Sequence, residues 1–206
     1  MKATRSITQG LWLASIAVLV QACSTVPTGG LPPAERYEAR ADALAASTGW
    51  ALKGRLALRD ERDGGSGTLQ WRQGIEGSRM DFHGALGRGA WRLQADSSGA
   101  ELELADGRRF RAETVNELAL EQLGWTVPVD ALAWWVLGLQ APGAVEARVL
   151  SEDGTLQRLL QRDWIIEYGR YREVDGLELP IRLTATRGER SVRLAVRDWV
   201  LDSADD

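Results

Sequence analysis

The chain has 206 residues, a formal net charge of −4, one histidine (His83) and one cysteine (Cys23). No dense basic run offsets the acidic balance, which argues against a nucleic-acid binder. One His and one Cys cannot assemble a conventional zinc site or a Ser-His triad.

The N-terminal segment has the parts of an export signal. Lys2 and Arg5 form a basic region, and Leu11 to Val20 (LWLASIAVLV) is an apolar run of about ten residues. Val20-Gln21-Ala22-Cys23 then reads as a lipobox, with an aliphatic residue three before the cysteine and a small one directly before it. Such a cysteine is linked to diacylglycerol through its thiol and becomes the new N-terminus. Two other readings stay open at this point. One is an ordinary secretory signal with an incidental cysteine. The other is a transmembrane anchor, although about twenty apolar residues are needed to span a bilayer. Ser24 follows the cysteine where aspartate would favour inner-membrane retention, so the outer membrane is expected.

Three parts follow: residues 1–22 as the signal peptide, 23–33 as lipid anchor and tether, and 34–206 as a single domain. The tether is rich in Ser, Thr, Pro and Gly (STVPTGGLPP). The mature chain carries a net charge of −6, because the leader removes only Lys2 and Arg5. With Cys23 acylated, no thiol remains for a disulfide or a metal.

Residues 34–47 contain strong helix formers, with Tyr37, Ala41, Leu44 and Ala45 near one face and Gly49 placed to cap the helix. From Trp50 the period becomes two. Trp50, Leu52, Leu56 and Leu58 alternate with polar or small residues, and the run Asp60 to Gly67 reads as a hairpin turn. Leu69 and Trp71, Met80 and Phe82, Trp91, Leu93 and Ala95, Leu102 and Leu104, and Phe110 continue the pattern between turn-forming dipeptides. Thr114 with Glu117 is a capping box that opens a helix ended by Gly124, and 130–137 is a second short helix before Gly138. Strands are expected again over 146–150, 156–161, 164–168, 179–185 and 191–201, with Gly169 among the turn residues that separate them. One helix, about six strands, two helices and about five strands describe a curved antiparallel sheet whose apolar face needs a cover.

Several short motifs recur in one order: Trp50-x-x-x-Gly54-Arg55-Leu56, Leu69-x-Trp71, Gly84-Ala85-Leu86-Gly87, Gly124-x-x-x-Pro128, Trp135-Val136-Leu137-Gly138-Leu139, Gln161-x-x-Trp164-x-Ile166-x-Tyr168, Leu179-Pro180 and Trp199. With the lipobox, they resemble the LolB family of outer-membrane lipoprotein receptors over nearly the whole mature chain. The family usually has proline where Ala85 stands. The resemblance implies a mainly β fold with helices, an incomplete, half-open antiparallel β-barrel of about eleven strands covered by a helical lid. It implies a protein that is not an enzyme and needs no cofactor or metal. Its partners would be a periplasmic LolA-like lipoprotein carrier, acylated lipoprotein cargo and outer-membrane lipids, and it would act as a monomer without nucleic acid. It also implies that Leu86, at a glycine-rich turn, protrudes and helps insert cargo into the membrane.

Acyl chains require an apolar cavity rather than polar recognition. The inward set expected to line it is Trp50, Leu52, Leu56, Leu69, Trp71, Met80, Phe82, Trp91, Leu93, Trp164 and Ile166, with Leu118, Leu132, Trp135 and Val136 on the lid. The same residue types build an ordinary core, so each position carries both readings. His83 reads as a polar strand-end residue, Arg55 as a rim, surface or lid-pairing residue, and Gly64-Gly65-x-Gly67 as a turn, since no helix follows for a phosphate loop. The main alternative is a lipid-anchored envelope assembly protein that binds a partner peptide or lipid. An envelope hydrolase is a distant third, for want of a nucleophile and base.

Overall fold

The computed structural model describes residues 30–60, 64–84 and 89–202. Cys23, residues 1–22 expected to be a signal peptide, and Leu86 lie outside the described residues.

The described residues form three helices and one eleven-stranded sheet. Helix α1 (Pro33–Ala45) comes first. It is followed by strands β1 (Gly49–Arg59), β2 (Gly64–Gly74), β3 (Gly77–Gly84), β4 (Trp91–Asp96), β5 (Gly99–Leu104) and β6 (Arg109–Ala112). Helices α2 (Val115–Leu123) and α3 (Val129–Trp135) then interrupt the strands. The sheet resumes with β7 (Ala147–Leu150), β8 (Leu156–Gln161), β9 (Trp164–Val174), β10 (Leu177–Arg187) and β11 (Arg190–Asp202).

Every pairing is antiparallel. The spatial order is β6-β5-β4-β3-β2-β1-β11-β10-β9-β8-β7, so the two runs of strands join through β1 and β11. Edges β6 and β7 stay unpaired with each other, which leaves the barrel half open. The expected incomplete antiparallel barrel with a helical cover is therefore the fold.

Register puts the apolar residues on one face. Leu52 lies opposite Trp71, Trp71 opposite Met80, and Met80 opposite Leu93. On β11 the inward set shifts parity, from Val192, Leu194 and Val196 to Trp199. A bulge opposite Lys53 and Gly54 inserts one residue there and restores the facing. Gly54 is required by its neighbours, because a Cβ on it would meet the Ala195 carbonyl oxygen at 2.4 Å.

Helix α2 behaves as its sequence predicts. The Thr114 hydroxyl accepts from the Glu117 amide at 3.2 Å, and Gly124 caps the helix in the left-handed conformation at φ 66°. It packs on β4, β5, β6 and α3, while α1 packs on β7 and β10.

Four local expectations are corrected. Gly49 starts β1 instead of capping α1, whose cap is Ala46. The β1–β2 turn is shorter than 60–67, because β2 already begins at Gly64 and its glycines pair with Leu58 and Leu56. Gly169 lies inside β9, which runs on to Val174. Ala45 is exposed, and the residue that shares the buried face of α1 with Tyr37 and Leu44 is Arg40.

Candidate functional site

A cleft of about 450 Å³ opens at the end of the barrel where β1 finishes and β2 and β11 begin. Its walls are Leu58, Phe82, Trp91, Trp164 and Val192 from the sheet, and residues 122–127 roof it. Arg59, Asp60 and Arg190 stand at its rim, and Arg190 pairs with Asp60 at 2.9 Å. Gly89, the first described residue after the segment that holds Leu86, also lines it.

Aromatic rings connect wall to roof. Phe82 and Trp91 stack at 5.2 Å, and Trp91 meets Trp125 edge-on at 5.0 Å. Trp125 belongs to the roof and was not singled out in the sequence, although it lies within Gly124-x-x-x-Pro128. Its backbone amide donates to Ala119, so the αL turn at Gly124 aims this segment at the cleft.

A second cleft of about 480 Å³ lies at the opposite end of the strands, lined by Leu44, Trp50, Ile75, Trp134, Leu137 and Leu139 among others. Ile75 is 84% exposed and Trp134 39% exposed beside it.

The predicted lining set is thus divided. Phe82, Trp91 and Trp164 line the first cleft and Trp50 the second. Leu52, Leu56, Leu69, Trp71, Met80, Leu93 and Ile166 are buried in the packed interior between them. The predicted lid residues Leu118, Leu132, Trp135 and Val136 are buried against that same interior, Val136 as the cap of α3. Arg55 and His83 are exposed.

Helix α3 is fixed by polar side chains. The Gln161 side chain, fully buried, accepts from Trp135 Nε1 at 3.0 Å and the Ala141 amide at 2.9 Å, and donates to the Ala141 carbonyl at 2.7 Å. The Tyr168 hydroxyl donates to the Trp135 carbonyl at 3.0 Å, and burial raises that phenol well above its usual pKa, so it stays a neutral donor. Asn116 on α2 caps α3 by accepting from the Val129 amide at 2.7 Å. Asp130 then reaches Arg162 at 2.8 Å, in the tight turn between β8 and β9. Among the described residues, the roof over the first cleft makes no such hydrogen bond to the sheet and rests on it by packing through Leu123, Trp125 and Val127. Among the described residues, no group of three or more His, Cys, Asp or Glu is placed to hold a metal ion.

Comparison with known proteins agrees with this architecture. Residues 48–199 match the family model described as Outer membrane lipoprotein LolB. An outer-membrane lipoprotein LolB of Alkalilimnicola ehrlichii is 40% identical over 193 residues, covering 93% of this chain and 96% of that one. A LolB of Pseudomonas aeruginosa is 40% identical over 197 residues, covering 90% and 93%. A LolA-superfamily protein from Nitrosomonas europaea shares the fold at a TM-score of 0.53 and 11% identity, covering 86% of this chain and 96% of its own. A DUF1329-family protein from Desulfovibrio piger does so at 0.51 and 7%, covering 85% and 96%. On the match over residues 48–199 and the identity to full-length relatives, the chain belongs to the LolB family of outer membrane lipoproteins.

Proposed function

We propose that this protein is an outer-membrane-anchored acceptor of lipoproteins. It takes acylated lipoproteins from a periplasmic LolA-like carrier, holds their acyl chains in the aromatic cleft, and passes them to the inner leaflet of the outer membrane. The observation that carries this reading is the cleft walled by Phe82, Trp91 and Trp164 and roofed by Trp125, in a member of a family of outer membrane lipoproteins.

The energetics suit a passive relay. Each methylene removed from water contributes about 0.8 kcal/mol, so ten of them contribute about 8 kcal/mol. A carrier, this cleft and a bilayer offer the same kind of environment, so transfer needs only a sequence of slightly more favourable sites and no nucleotide. Entry requires room beyond the cleft's 450 Å³. The roof at 122–127 is the part that yields, since α3 is tied to β8 and β9 by Gln161 and Tyr168. Buried residues such as Leu56, Trp71 and Met80 line the space that opens behind Trp91. Leu118, Leu132, Trp135 and Val136 form the inner surface of the cover. Acylated Cys23 holds the protein on the membrane, Leu86 inserts the cargo, and one copy suffices.

The test mixes the unacylated Cys23→Ala mature domain with a carrier–lipoprotein complex. Movement of the lipoprotein onto the domain without ATP, with no movement of an unlipidated version of the cargo, supports the reading. Retention on the carrier by a well-folded domain would sink it and favour an assembly protein that binds a peptide. For Leu86→Glu, uptake from the carrier should persist while delivery to liposomes fails.

A further inference from the structure

Among the described residues, one buried polar group in the cleft wall has no hydrogen-bond partner. Trp164 is 1% exposed and lines the cleft. Its Nε1 is one of two buried side-chain polar atoms that make no hydrogen bond among the described residues. The other is Nε of Arg40, whose remaining guanidinium nitrogens are both bonded. The remaining fully buried indoles are satisfied: Trp71 Nε1 donates to Ser78 Oγ at 2.9 Å and Trp135 Nε1 to Gln161 at 3.0 Å. Trp199 Nε1 likewise donates to the Pro180 carbonyl at 2.9 Å. The Arg187 guanidinium lies over the Trp164 ring, 5.1 Å from its centroid, and a guanidinium has no acceptor. A buried donor left unsatisfied costs free energy, so its retention in a cleft wall points to a ligand atom that completes it.

We infer that Trp164 Nε1 donates a hydrogen bond to an ester carbonyl of the bound acyl chain. This rests on the acyl-binding reading above and adds a specificity-determining residue to it. The hydrocarbon part of a fatty chain has no acceptor. Its acceptor is the carbonyl at the glycerol end. Trp164 opens β9 at the mouth end of the barrel, near the Asp60–Arg190 rim. A carbonyl held there keeps the glycerol and peptide outward and sends the tail inward. The donor is buried from solvent, so acyl esters that complete it gain an advantage over chains that lack a carbonyl.

The experiment measures binding of two synthetic lipopeptides to the Cys23→Ala protein, one with ester-linked chains and one a dialkyl-ether analogue of equal chain length. The wild-type cleft should prefer the ester by about tenfold. Trp164→Phe should abolish the preference, weakening the ester ligand about tenfold more than the ether ligand, while the smaller ring costs both ligands the same lost apolar contact. The variant alone should melt below wild type, because the smaller ring leaves a cavity at a fully buried position, so the ratio of ester to ether affinity, and not the absolute affinity, carries the test. Equal weakening of both ligands, or a preference that survives the substitution, overturns the inference. The wild-type comparison tests it without any variant: equal binding of the two lipopeptides overturns this inference alone, whereas binding of neither overturns the acyl reading.

Discussion

Arg40 Nη2 donates to the carbonyl of Gly138 at 2.8 Å across 98 residues of sequence. Nη1 of the same guanidinium reaches the carbonyls of Leu137 and Glu178, each at 3.1 Å. The rings of Tyr37 and Tyr171 flank it at 5.6 and 5.8 Å. A cation thus satisfies the carbonyls just beyond the C-terminal end of α3 and ties α1 to both α3 and β10. Gly138 must be glycine, because its φ is 72° and a Cβ would meet Tyr171 Oη at 2.9 Å and Arg40 Nη1 at 3.1 Å. Arg40→Met should cost about 3 kcal/mol by stranding three carbonyls, a loss of about 6–12 °C in thermal unfolding. Arg40→Lys should recover only part, since one ammonium cannot reproduce the planar fork. A wild-type melting temperature for Arg40→Met would show that this contact does not hold the helix.

Gln161 plays the matching part on the other side of α3. Replacing it with Leu keeps the volume but leaves Trp135 Nε1 and both backbone groups of Ala141 unpaired. The expected loss is about 2–4 kcal/mol. Near-ultraviolet circular dichroism should change with it, because Trp135 loses the bond that fixes its ring. An unchanged spectrum and stability would contradict the assignment.

Most strands were legible in the sequence because they show one apolar face, and the hairpins because turn residues separate them, whereas the edge strands β6 and β7 bury no residue. Thr114 and Gly124 marked α2 for the same local reason. Arg40 and Gln161 were not legible as buried residues. A charged or amide side chain reads as solvated until its distant partners are known, and theirs lie up to 138 residues away. The division of the inward set was equally hidden. Trp91 and Met80 alternate on neighbouring strands with the same pattern, yet Trp91 faces a cleft and Met80 a filled interior. The difference is set by where α2, its following loop and α3 lie across the sheet, and no local period records that.

Asp130 gives the fold a pH dependence. Burial works against its ionisation, but hydrogen bonds from Arg162 and Asn116 outweigh that and hold its carboxyl below the ordinary range. A carboxyl lowered in the folded state adds stability that is complete above its unfolded value, near pH 4, and is lost as pH falls through the folded value. Asp130→Asn should therefore melt below wild type at pH 7, and the gap should narrow below about pH 4. With the side chain 45% exposed, the gap is small, and its pH dependence is the diagnostic. A gap of constant size from pH 7 to pH 3 would mean that the charge is not involved.

Gly65 and Gly67 on β2 separate cleft function from folding. Both share the inward parity of Leu69 and Trp71, and they pair with Leu58 and Leu56. A Cβ on Gly67 would meet the His83 carbonyl oxygen at 2.2 Å and Phe82 Cζ at 2.6 Å, so Gly67→Ala should destabilise the sheet. Gly65 lines the cleft, and a Cβ there would meet nothing within 4 Å. Gly65→Leu should fit without backbone strain and hold or slightly raise the melting temperature, because leucine restricts the unfolded chain. Its side chain would then occupy the cleft between Leu58 and the roof. Uptake of lipoprotein from the carrier should fall by about tenfold or more, as the branched chain takes volume that acyl methylenes would fill. Transfer assays and thermal melts on the two variants check both halves. Normal uptake by a folded Gly65→Leu protein would move the acyl site away from this cleft and toward the one at Trp50 and Trp134.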